Sequence, residues 1–341
     1  MARKAGFEES RLPQHVRVSV GSAIVLGLLE GKLDAEPTTA YLMTYKAGKC
    51  IANCGFCSQA RGSLSKAELL SRVSWPVFST KSVLKRVQSA VAGARIRRVC
   101  IQALNYTDVF AHLVAIVKAV KQHAKVPVSI SCQPLNRQNM VSLAEAGSDR
   151  IGIALDAATE KLFDKVKGSV AGGPYNWESQ FRLLREAVEV FGKGNVSTHL
   201  IIGLGETEKE AVRIIQQCVD MHVLPALFAF TPIRGTKLEN KPQPQIESYR
   251  RMQLARYLLV NRVTRYENMR FDVYGRIDDF CVKKETLKRV VETGQPFLTS
   301  GCPDCNRPFF NEKPSGPLYN HPRSMNPAET AAIIQQLSFE P

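Results

Sequence analysis

Short apolar runs alternate with amphipathic stretches along most of the chain. Brief runs rich in apolar or β-branched residues are typical of buried parallel strands. Such runs predict strands over residues 38–45, 98–103, 126–132, 150–156, 196–203, 226–231, 269–274 and 297–300. Apolar residues at helical spacing predict the intervening helices, over residues 80–94, 108–124, 135–146, 177–191, 206–222 and 246–265.

The alternation of strand and helix predicts an α/β fold with a parallel sheet. Eight such units would close a TIM-type (β/α)8 barrel, with its chemistry at the carboxyl ends of the strands. Gly147 and Gly192 stand where helix C-caps are expected. The pattern divides the chain into an N-terminal helical segment at 1–37, a barrel at 38–301 and a C-terminal tail at 302–341.

Two further stretches complete this division. The apolar run 23–29 is too short to cross a membrane and lacks a small-residue cleavage site, so it predicts a docking helix. No targeting segment is visible, which predicts a cytoplasmic protein. Residues 303–323 hold many Pro, Gly and Asn residues, which predicts an irregular tail packed on the barrel.

The net charge of +15 indicates a surface that would steer acidic partners or nucleic acid. A basic surface without a partner is the alternative. The Lys and Arg residues are scattered rather than gathered in one stripe, so nucleic acid is not indicated. Nine cysteines, several of them clustered, indicate metal binding in a reducing compartment.

The most specific chemistry lies in the first predicted loop after a strand, the cysteine loop at residues 47–60. Cys50, Cys54 and Cys57 follow a C-x-x-x-C-x-x-C spacing. Thiolates are the usual ligands of a four-iron cluster, and three of them leave one iron open. Gly55 allows a tight turn and Phe56 can shield the cluster from water. A zinc site or a buried thiol cluster is the alternative, but zinc usually takes separated C-x-x-C pairs.

This loop resembles that of the radical S-adenosylmethionine (radical SAM) superfamily. The resemblance implies a 4Fe–4S cluster whose open iron chelates SAM, and an electron transfer that yields a 5′-deoxyadenosyl radical. Asp156 ends the fourth predicted strand, where a carboxylate can bind ribose hydroxyls, or else caps the next helix. Ile202, Gly203 and Gly205 resemble the family's adenine-contact stretch. A plain strand-to-helix turn, with a Glu in the first helical turn, is the other interpretation there.

Residues 41–276 are similar to biotin synthase. That family holds a second cluster inside its barrel, bound by three strand cysteines and an Arg. Cys100 and Cys132 fall at two of these cysteine positions. The third position is missing, since Ser197 and Thr198 occupy its neighbourhood.

Other positions of the biotin synthase pattern correspond to further residues of this chain. Arg270 or Arg276 corresponds to the family's cluster-binding Arg. Gln180 or Arg182 stands where the family binds the SAM carboxylate, and Ala154 replaces its ribose-contacting Asn.

A further C-x-x-C, Cys302 and Cys305, follows the eighth predicted strand. Alone, such a pair could be half a zinc ribbon or a redox pair. Cys218 and Cys281 are single, so no second pair completes a ribbon. We expect an auxiliary cluster, of the 4Fe–4S type, whose ligands are Cys100, Cys132, Cys302 and Cys305. Zinc tying down the tail is the alternative.

The tail, at 302–312 and 319–323, resembles the archaeal type of two-protein lipoyl synthase. The resemblance implies sulfur insertion into an octanoyl-lysyl chain on an acidic carrier protein or lipoyl domain. A carbon radical would attack a sulfide of the auxiliary cluster, so no catalytic residue beyond the cluster ligands is expected. The implied partners are a second radical SAM subunit and an electron donor such as ferredoxin. His321 is expected to be structural.

Three rivals remain open from the sequence. One is biotin synthase acting on dethiobiotin, which the missing third cysteine disfavours. Another is a different radical SAM enzyme, such as a tRNA-modifying one, which the charge allows. The third is a zinc-stabilised binding protein with no redox chemistry.

Overall fold

The computed structural model describes residues 12–134 and 136–337, and it is built from strands and helices that alternate. The strands are β1 His15–Val18, β2 Thr39–Thr44, β3 Leu69–Leu70, β4 Val73–Ser74, β5 Val77–Ser79, β6 Arg98–Gln102, β7 Val128–Ser131, β8 Arg150–Gly152, β9 Val196–Ile202, β10 Val223–Ala229, β11 Arg270–Phe271 and β12 Ile277–Asp279. The α-helices are α1 Val20–Val25, α2 Thr80–Ala92, α3 Val109–His123, α4 Arg137–Glu145, α5 Glu160–Val166, α6 Trp177–Phe191, α7 Glu208–Asp220, α8 Ile246–Val260, α9 Lys284–Glu292 and α10 Pro327–Gln336.

The main sheet has eight strands in the order β10-β9-β8-β7-β6-β2-β1-β5. The neighbours from β2 to β10 pair in parallel. Strand β1 is antiparallel to β2, and β5 is antiparallel to β1. Side chains from β2 and from β10, near opposite sides of the sheet, line one cavity, so the sheet is curved. The predicted α/β fold with a parallel sheet is confirmed.

The predicted helices reappear with ends shifted by a few residues. Helix α6 begins and ends where its pattern predicts, because Asn176 caps its start and Gly192 follows its end with a positive φ of 83°. Its Phe181 and Leu184 are buried, and burying an apolar side chain of this size contributes about 1.5–3 kcal/mol. The predicted start of α4 at residue 135 lies outside the described residues.

The last two predicted barrel strands do not join the sheet. The stretch predicted at 269–274 contains only the two-residue strand β11, which pairs with β12 in a separate hairpin. Asp272 and Gly275 form the turn of that hairpin, so the segment reverses direction instead of crossing the sheet. At 297–300 the chain ends a 3-10 helix, and Leu298 makes one isolated bridge to His321.

The C-terminal tail fills the gap that these two strands leave. The Leu227 backbone N–H on β10 donates to Ser300 Oγ at 2.8 Å. At the other side, Thr38 Oγ1, just before β2, donates to the Asp304 carbonyl at 2.5 Å. Arg98 on β6 donates to the carbonyl of Pro303 at 3.0 Å. Irregular chain therefore spans from β10 to β2 and closes the curved sheet, which brings the tail cysteines inside.

The two ends of the chain depart from the expectation in other ways. The N-terminal segment, expected to be helical, contributes β1 to the sheet and only the short helix α1, and its residues 1–11 lie outside the described range. The tail ends in a regular helix, α10, whose start is capped by Asn326 and Glu329. Its residues 338–341 also lie outside the described range. Within residues 12–134 and 136–337, no helix combines the length and apolar character that a membrane crossing requires.

Candidate active site

One cavity of about 240 Å³ opens inside the curved sheet. The cysteine loop contributes Phe56 and Cys57 to its wall, and the tail contributes Cys302 and Cys305. Most of the remaining wall is apolar and comes from inward-facing residues of the strands. The cysteine loop and the tail therefore share one cavity.

The cysteine loop is held in shape by an internal lysine. Lys49 Nζ donates to the carbonyls of Ser58, Ser63 and Ser65 at 3.1, 2.6 and 2.6 Å. Because a charge-assisted bond is stronger than a neutral one, three of them fix the residues that follow the thiols.

A second set of contacts docks the loop on the segment after α5. Asn53 Nδ2 donates to the Ala171 carbonyl at 2.7 Å, and Asn53 Oδ1 accepts from the Gly62 backbone at 3.1 Å. The Gly55 backbone N–H donates to the Val166 carbonyl at 2.7 Å. The loop is thus held in place by the Asn53 side chain and by the Gly55 backbone.

The three thiols of the loop are suited to a cluster. Burial raises the pKa of Cys54 well above its usual range and that of Cys57 to about 12, so a bound metal would replace thiol protons. Cys50 Sγ accepts backbone hydrogen bonds from Asn105 at 3.2 Å and Ala52 at 3.4 Å. Hydrogen bonds to sulfur are one of the factors that set a cluster's potential.

These sulfur atoms do not form a site for one ion. Among residues 12–134 and 136–337, no three His, Cys, Asp or Glu side chains are grouped tightly enough to hold a single metal ion. A cluster binds each thiolate through a different iron, so its ligands need not converge on a point. The residues present therefore fit a cluster on Cys50, Cys54 and Cys57.

A second group of thiols, Cys100, Cys302 and Cys305, lines the same cavity. Burial raises the pKa of Cys100 and Cys305, and in Cys100 the neighbouring tail thiols raise it further. Gln102 Nε2 donates to Cys100 Sγ at 3.2 Å, and the Tyr41 hydroxyl lies 3.4 Å from Cys305 Sγ. The structure thus brings together three of the four residues expected to bind the auxiliary cluster.

The fourth residue, Cys132, lies elsewhere. On β7, Ser129, Ile130 and Ser131 line the cavity, and Cys132, which follows the strand, is not among the lining residues. The Ser129 hydroxyl lies 3.5 Å from Cys302 Sγ. Cys132 is buried in the hydrophobic core. The structure therefore does not bring Cys132 together with the other three thiols, and its role as an auxiliary ligand stays a prediction.

Asp156 lines the cavity and carries a buried partner that the sequence did not suggest. Lys167 Nζ donates to Asp156 Oδ2 at 2.7 Å, and the two side chains are 1% and 11% exposed. Asp156 has a positive φ of 67°. The helix that follows is capped by Thr159, so capping does not explain the position of Asp156. A carboxylate fixed beside the cysteine loop remains a candidate for ribose contact.

The comparison with known families agrees with this arrangement. The family model described as "Radical SAM superfamily" matches residues 45–218, which include the cysteine loop and the strands from β6 to β9. The chain belongs to the radical SAM superfamily. It is therefore an enzyme, and its family uses a 4Fe–4S cluster and SAM.

Among curated proteins, this radical SAM enzyme is biotin-synthase-like. It is 24% identical to a biotin synthase from Gloeothece citriformis over 255 residues, 71% of this chain and 67% of the relative. It is also 24% identical to a biotin synthase from Methanococcus maripaludis over 233 residues, 66% of this chain and 67% of the relative.

Solved structures show the same fold at low identity. Methylornithine synthase superposes with a TM-score of 0.51 and 15% identity, covering 76% of this chain and 69% of that one. The FeFe-hydrogenase maturase HydG from Carboxydothermus hydrogenoformans gives 0.50 and 14%, covering 71% and 55%.

The predicted adenine-contact stretch of the radical SAM enzyme is a loop whose backbone is bound by one of its own side chains, Glu206. The carboxylate of Glu206 accepts backbone hydrogen bonds from Gly203 and Gly205 at 2.6 and 3.0 Å. Both glycines have positive φ, at 105° and 128°, a backbone conformation that side chains disfavour. Helix α7 begins later, after its Thr207 cap, so Glu206 does not lie in the first turn. Ile201 lines the cavity, whereas the predicted contact residue Ile202 does not.

The candidates for the SAM carboxylate do not reach the cavity. Arg182 on α6 is exposed and lies 3.9 Å from Glu186. Gln180 is buried, with an Oε1 atom that has no hydrogen-bond partner. Neither residue lines the cavity, so a role at the SAM carboxylate stays a prediction for both.

The cavity arginine comes from the tail and not from the predicted seventh strand. Arg270 forms a 2.6 Å ion pair with Asp279 on the outer hairpin, and Arg276 is exposed. Arg307 lines the cavity instead, with its guanidinium 3.8 Å above the Phe228 ring. In the sequence, its position two residues after the C-x-x-C was the feature that could have indicated that Arg307 lies near the tail thiols.

His199 is a cavity residue that the sequence reasoning missed. It lies on β9 with its ring 4.9 Å from that of Phe228. Burial lowers the pKa of His199 to about 4, so the imidazole is neutral at pH 7. The period of two along β9 places Ser197, His199 and Ile201 on one face, and this alternation would have revealed it.

Proposed function

We propose that this radical SAM enzyme inserts sulfur into an octanoyl-lysyl chain, as a subunit of a two-protein lipoyl synthase. The observation that carries the proposal is the shared cavity, where the cysteine loop and the thiols of Cys100, Cys302 and Cys305 face one space. Its mainly apolar lining suits an alkyl chain, since pockets are usually apolar with a few polar groups that fix orientation.

The proposal assigns each thiol group a cofactor. Cys50, Cys54 and Cys57 would hold the SAM-binding 4Fe–4S cluster, and Cys100, Cys302 and Cys305 an auxiliary iron–sulfur cluster. When bound, the two clusters supply the electron that cleaves SAM and the sulfur that is inserted.

Other residues would position the substrates. Asp156, fixed by Lys167, would accept hydrogen bonds from ribose hydroxyls. His199, which is neutral, can donate or accept one hydrogen bond toward the substrate. The basic surface would steer an acidic octanoylated carrier, and a second radical SAM subunit would insert the other sulfur.

Biotin synthesis from dethiobiotin is the second candidate. It is favoured by the biotin synthase relatives, which resemble this chain over about two thirds of their length. The tail origin of two cavity thiols favours the first candidate. Anaerobic reaction of loaded enzyme with an octanoylated peptide and with dethiobiotin separates them, because mass spectrometry would find sulfur in only one product.

Iron and sulfide counts test the cofactor assignment. Replacing Cys302 and Cys305 by Ala should remove the auxiliary cluster and leave reductive SAM cleavage intact. Cys132→Ala is the matched control, because it removes a buried thiol outside the cavity and should leave all the iron bound. Full iron retention in the double variant, or zinc in place of iron at the tail, would overturn the assignment.

A further inference from the structure

Three neighbouring strands present one row of side chains to the cavity beside the tail thiols. In the register of the sheet, Tyr41 on β2 lies opposite Cys100 on β6, and Cys100 lies opposite Ser129 on β7. All three residues line the cavity. The Cys100 thiol accepts a hydrogen bond from Gln102 on its own strand at 3.2 Å, and a residue with a hydroxyl group stands on each side of it.

Each of these two hydroxyl groups contacts one thiol of the tail. The Tyr41 hydroxyl lies 3.4 Å from Cys305 Sγ. The Ser129 hydroxyl donates to Cys302 Sγ at 3.5 Å. Because sulfur is larger than oxygen and a weaker acceptor, its hydrogen bonds are longer than those to oxygen. The row on the sheet thus supplies one side-chain contact to each tail thiol.

Two further donors determine which way the hydroxyl groups point. The Arg307 backbone N–H donates to the Tyr41 hydroxyl oxygen at 2.9 Å. Arg98 Nη1 donates to Ser129 Oγ, also at 2.9 Å. A hydroxyl group has a single hydrogen to donate. Since each oxygen already accepts a hydrogen bond, its own hydrogen is directed to the neighbouring sulfur.

Both donors and the turn that carries the tail thiols are fixed in place. Tyr41 is 1% exposed and Ser129 is 3% exposed. The Tyr41 ring packs against that of Phe310, with 5.3 Å between the ring centroids. Arg98 also donates to the carbonyl of Pro303, inside the C-x-x-C, at 3.0 Å. Hydrogen-bond donors that are held in this way need no reorganisation to act on a charge beside them.

The thiols of the cysteine loop are supplied differently. Cys50 Sγ accepts its hydrogen bonds from the backbone N–H groups of Asn105 and Ala52. A substitution of Tyr41 or Ser129 therefore removes a donor from a tail thiol and leaves the donors of Cys50 in place.

We propose that Tyr41 and Ser129 are positioning residues that hydrogen-bond the tail thiolates and raise the reduction potential of the iron–sulfur cluster bound there. This inference rests on the proposed function only for the auxiliary cluster on Cys100, Cys302 and Cys305. A donor beside a thiolate favours the state with more negative charge, which is the reduced state of a cluster. The same two contacts hold the tail sulfur atoms beside Cys100.

The test isolates the second group of thiols in the full chain. Replacing Cys50, Cys54 and Cys57 by Ala leaves that group to bind the iron and sulfide that are supplied anaerobically. In this background, Tyr41→Phe and Ser129→Ala each remove one hydroxyl group, and Tyr41→Phe retains the ring.

We expect the midpoint potential in a redox titration to shift to lower values in each variant, and furthest in the double variant. Resistance of the iron to a chelator should fall about tenfold or more, since contacts to metal ligands typically contribute that much to affinity. Ser129→Thr keeps a hydroxyl group and should restore the original potential. Tyr319→Phe is the matched control, because its hydroxyl donates to the Pro244 carbonyl at 2.7 Å, and it should leave the potential unchanged.

An unchanged potential in folded Tyr41→Phe and Ser129→Ala overturns the proposal, and so does an equal shift in Tyr319→Phe. If Tyr41→Phe does not fold, the comparison of Ser129→Ala with Ser129→Thr decides. Zinc in place of iron on the second group of thiols overturns this inference together with the cofactor assignment. Sulfur insertion is scored separately in the wild type, so its failure alongside the expected shifts in potential would overturn only the proposed function.

Discussion

Removing Lys167 is expected to destabilise the protein more than its single ion pair suggests. Its ammonium group is 1% exposed and donates to Asp156 at 2.7 Å. It also donates to the Ala154 carbonyl and lies 5.0 Å from the centroid of the Tyr175 ring. Lys167→Met would leave the Asp156 carboxylate buried without its partner, an effect that costs about 3–5 kcal/mol.

The size of the effect can be expressed as a melting temperature. An unfolding entropy of about 2.1 cal/mol/K per residue, over 341 residues, gives roughly 0.7 kcal/mol/K. A loss of about 4 kcal/mol therefore lowers the melting temperature by roughly 6 °C. Differential scanning calorimetry of the metal-free chain would measure it without interference from cluster loss.

A double-mutant cycle separates the interaction free energy of Lys167 and Asp156 from the other destabilising effects of each substitution. Lys167→Met with Asp156→Asn removes both charges, so the double variant should be more stable than the sum of the two single effects by about 2 kcal/mol. Arg265→Met is the matched control, because its 3.1 Å pair with Asp220 is exposed and should contribute little to stability. A coupling free energy near zero for the buried pair would refute the reasoning.

Three further variants test other parts of the structure. Burial lowers the pKa of His199 to about 4, so the unfolded chain takes up a proton first as the pH falls. The wild type should therefore lose stability between about pH 6.5 and 4. His199→Phe should show a shallower pH dependence of stability in urea titrations, and parallel curves for the two proteins would contradict this assignment. Gly235→Ala places a Cβ within 2.5 Å of the Ser65 backbone, whereas the Cβ of Gly48→Ala, also at positive φ, meets nothing within 4 Å. Only Gly235→Ala should therefore loosen the cysteine loop, which faster exchange of its backbone amide protons would show. Equal exchange rates in the two variants would point to φ strain alone. Arg250→Met removes the 2.7 Å bond to the Tyr319 carbonyl and should expose the tail to limited proteolysis, while unaltered cleavage would show that other contacts hold it.

The sequence identified the site wherever its signal was local. Cys50, Cys54 and Cys57 lie within eight residues, so their spacing alone carries the chemistry. The parallel strands β2, β6, β7, β8, β9 and β10 could be predicted because their apolar runs are largely buried. The last two predicted strands could not be excluded, since short apolar runs have no periodicity that distinguishes a strand from a hairpin or a 3-10 helix.

The remaining errors concern orientation and long-range contacts. The missed His199 was decided by strand parity, which a check of alternating residues along β9 would have supplied. Arg307 and Lys167 could not be placed in this way. Each enters the site through a segment whose position depends on contacts with distant parts of the chain, such as the bond between Arg307 N–H and the Tyr41 hydroxyl at 2.9 Å.

Closure of the sheet by the tail has a consequence for how the protein matures. Cys302 and Cys305 belong to the last forty residues of the chain, and they meet Cys100 only when that segment crosses from β10 to β2. A ribosome delivers this segment after the residues that form the cysteine loop have emerged. The two thiol groups therefore become complete at different times, and a nascent chain can offer its first site to an iron donor before its second exists.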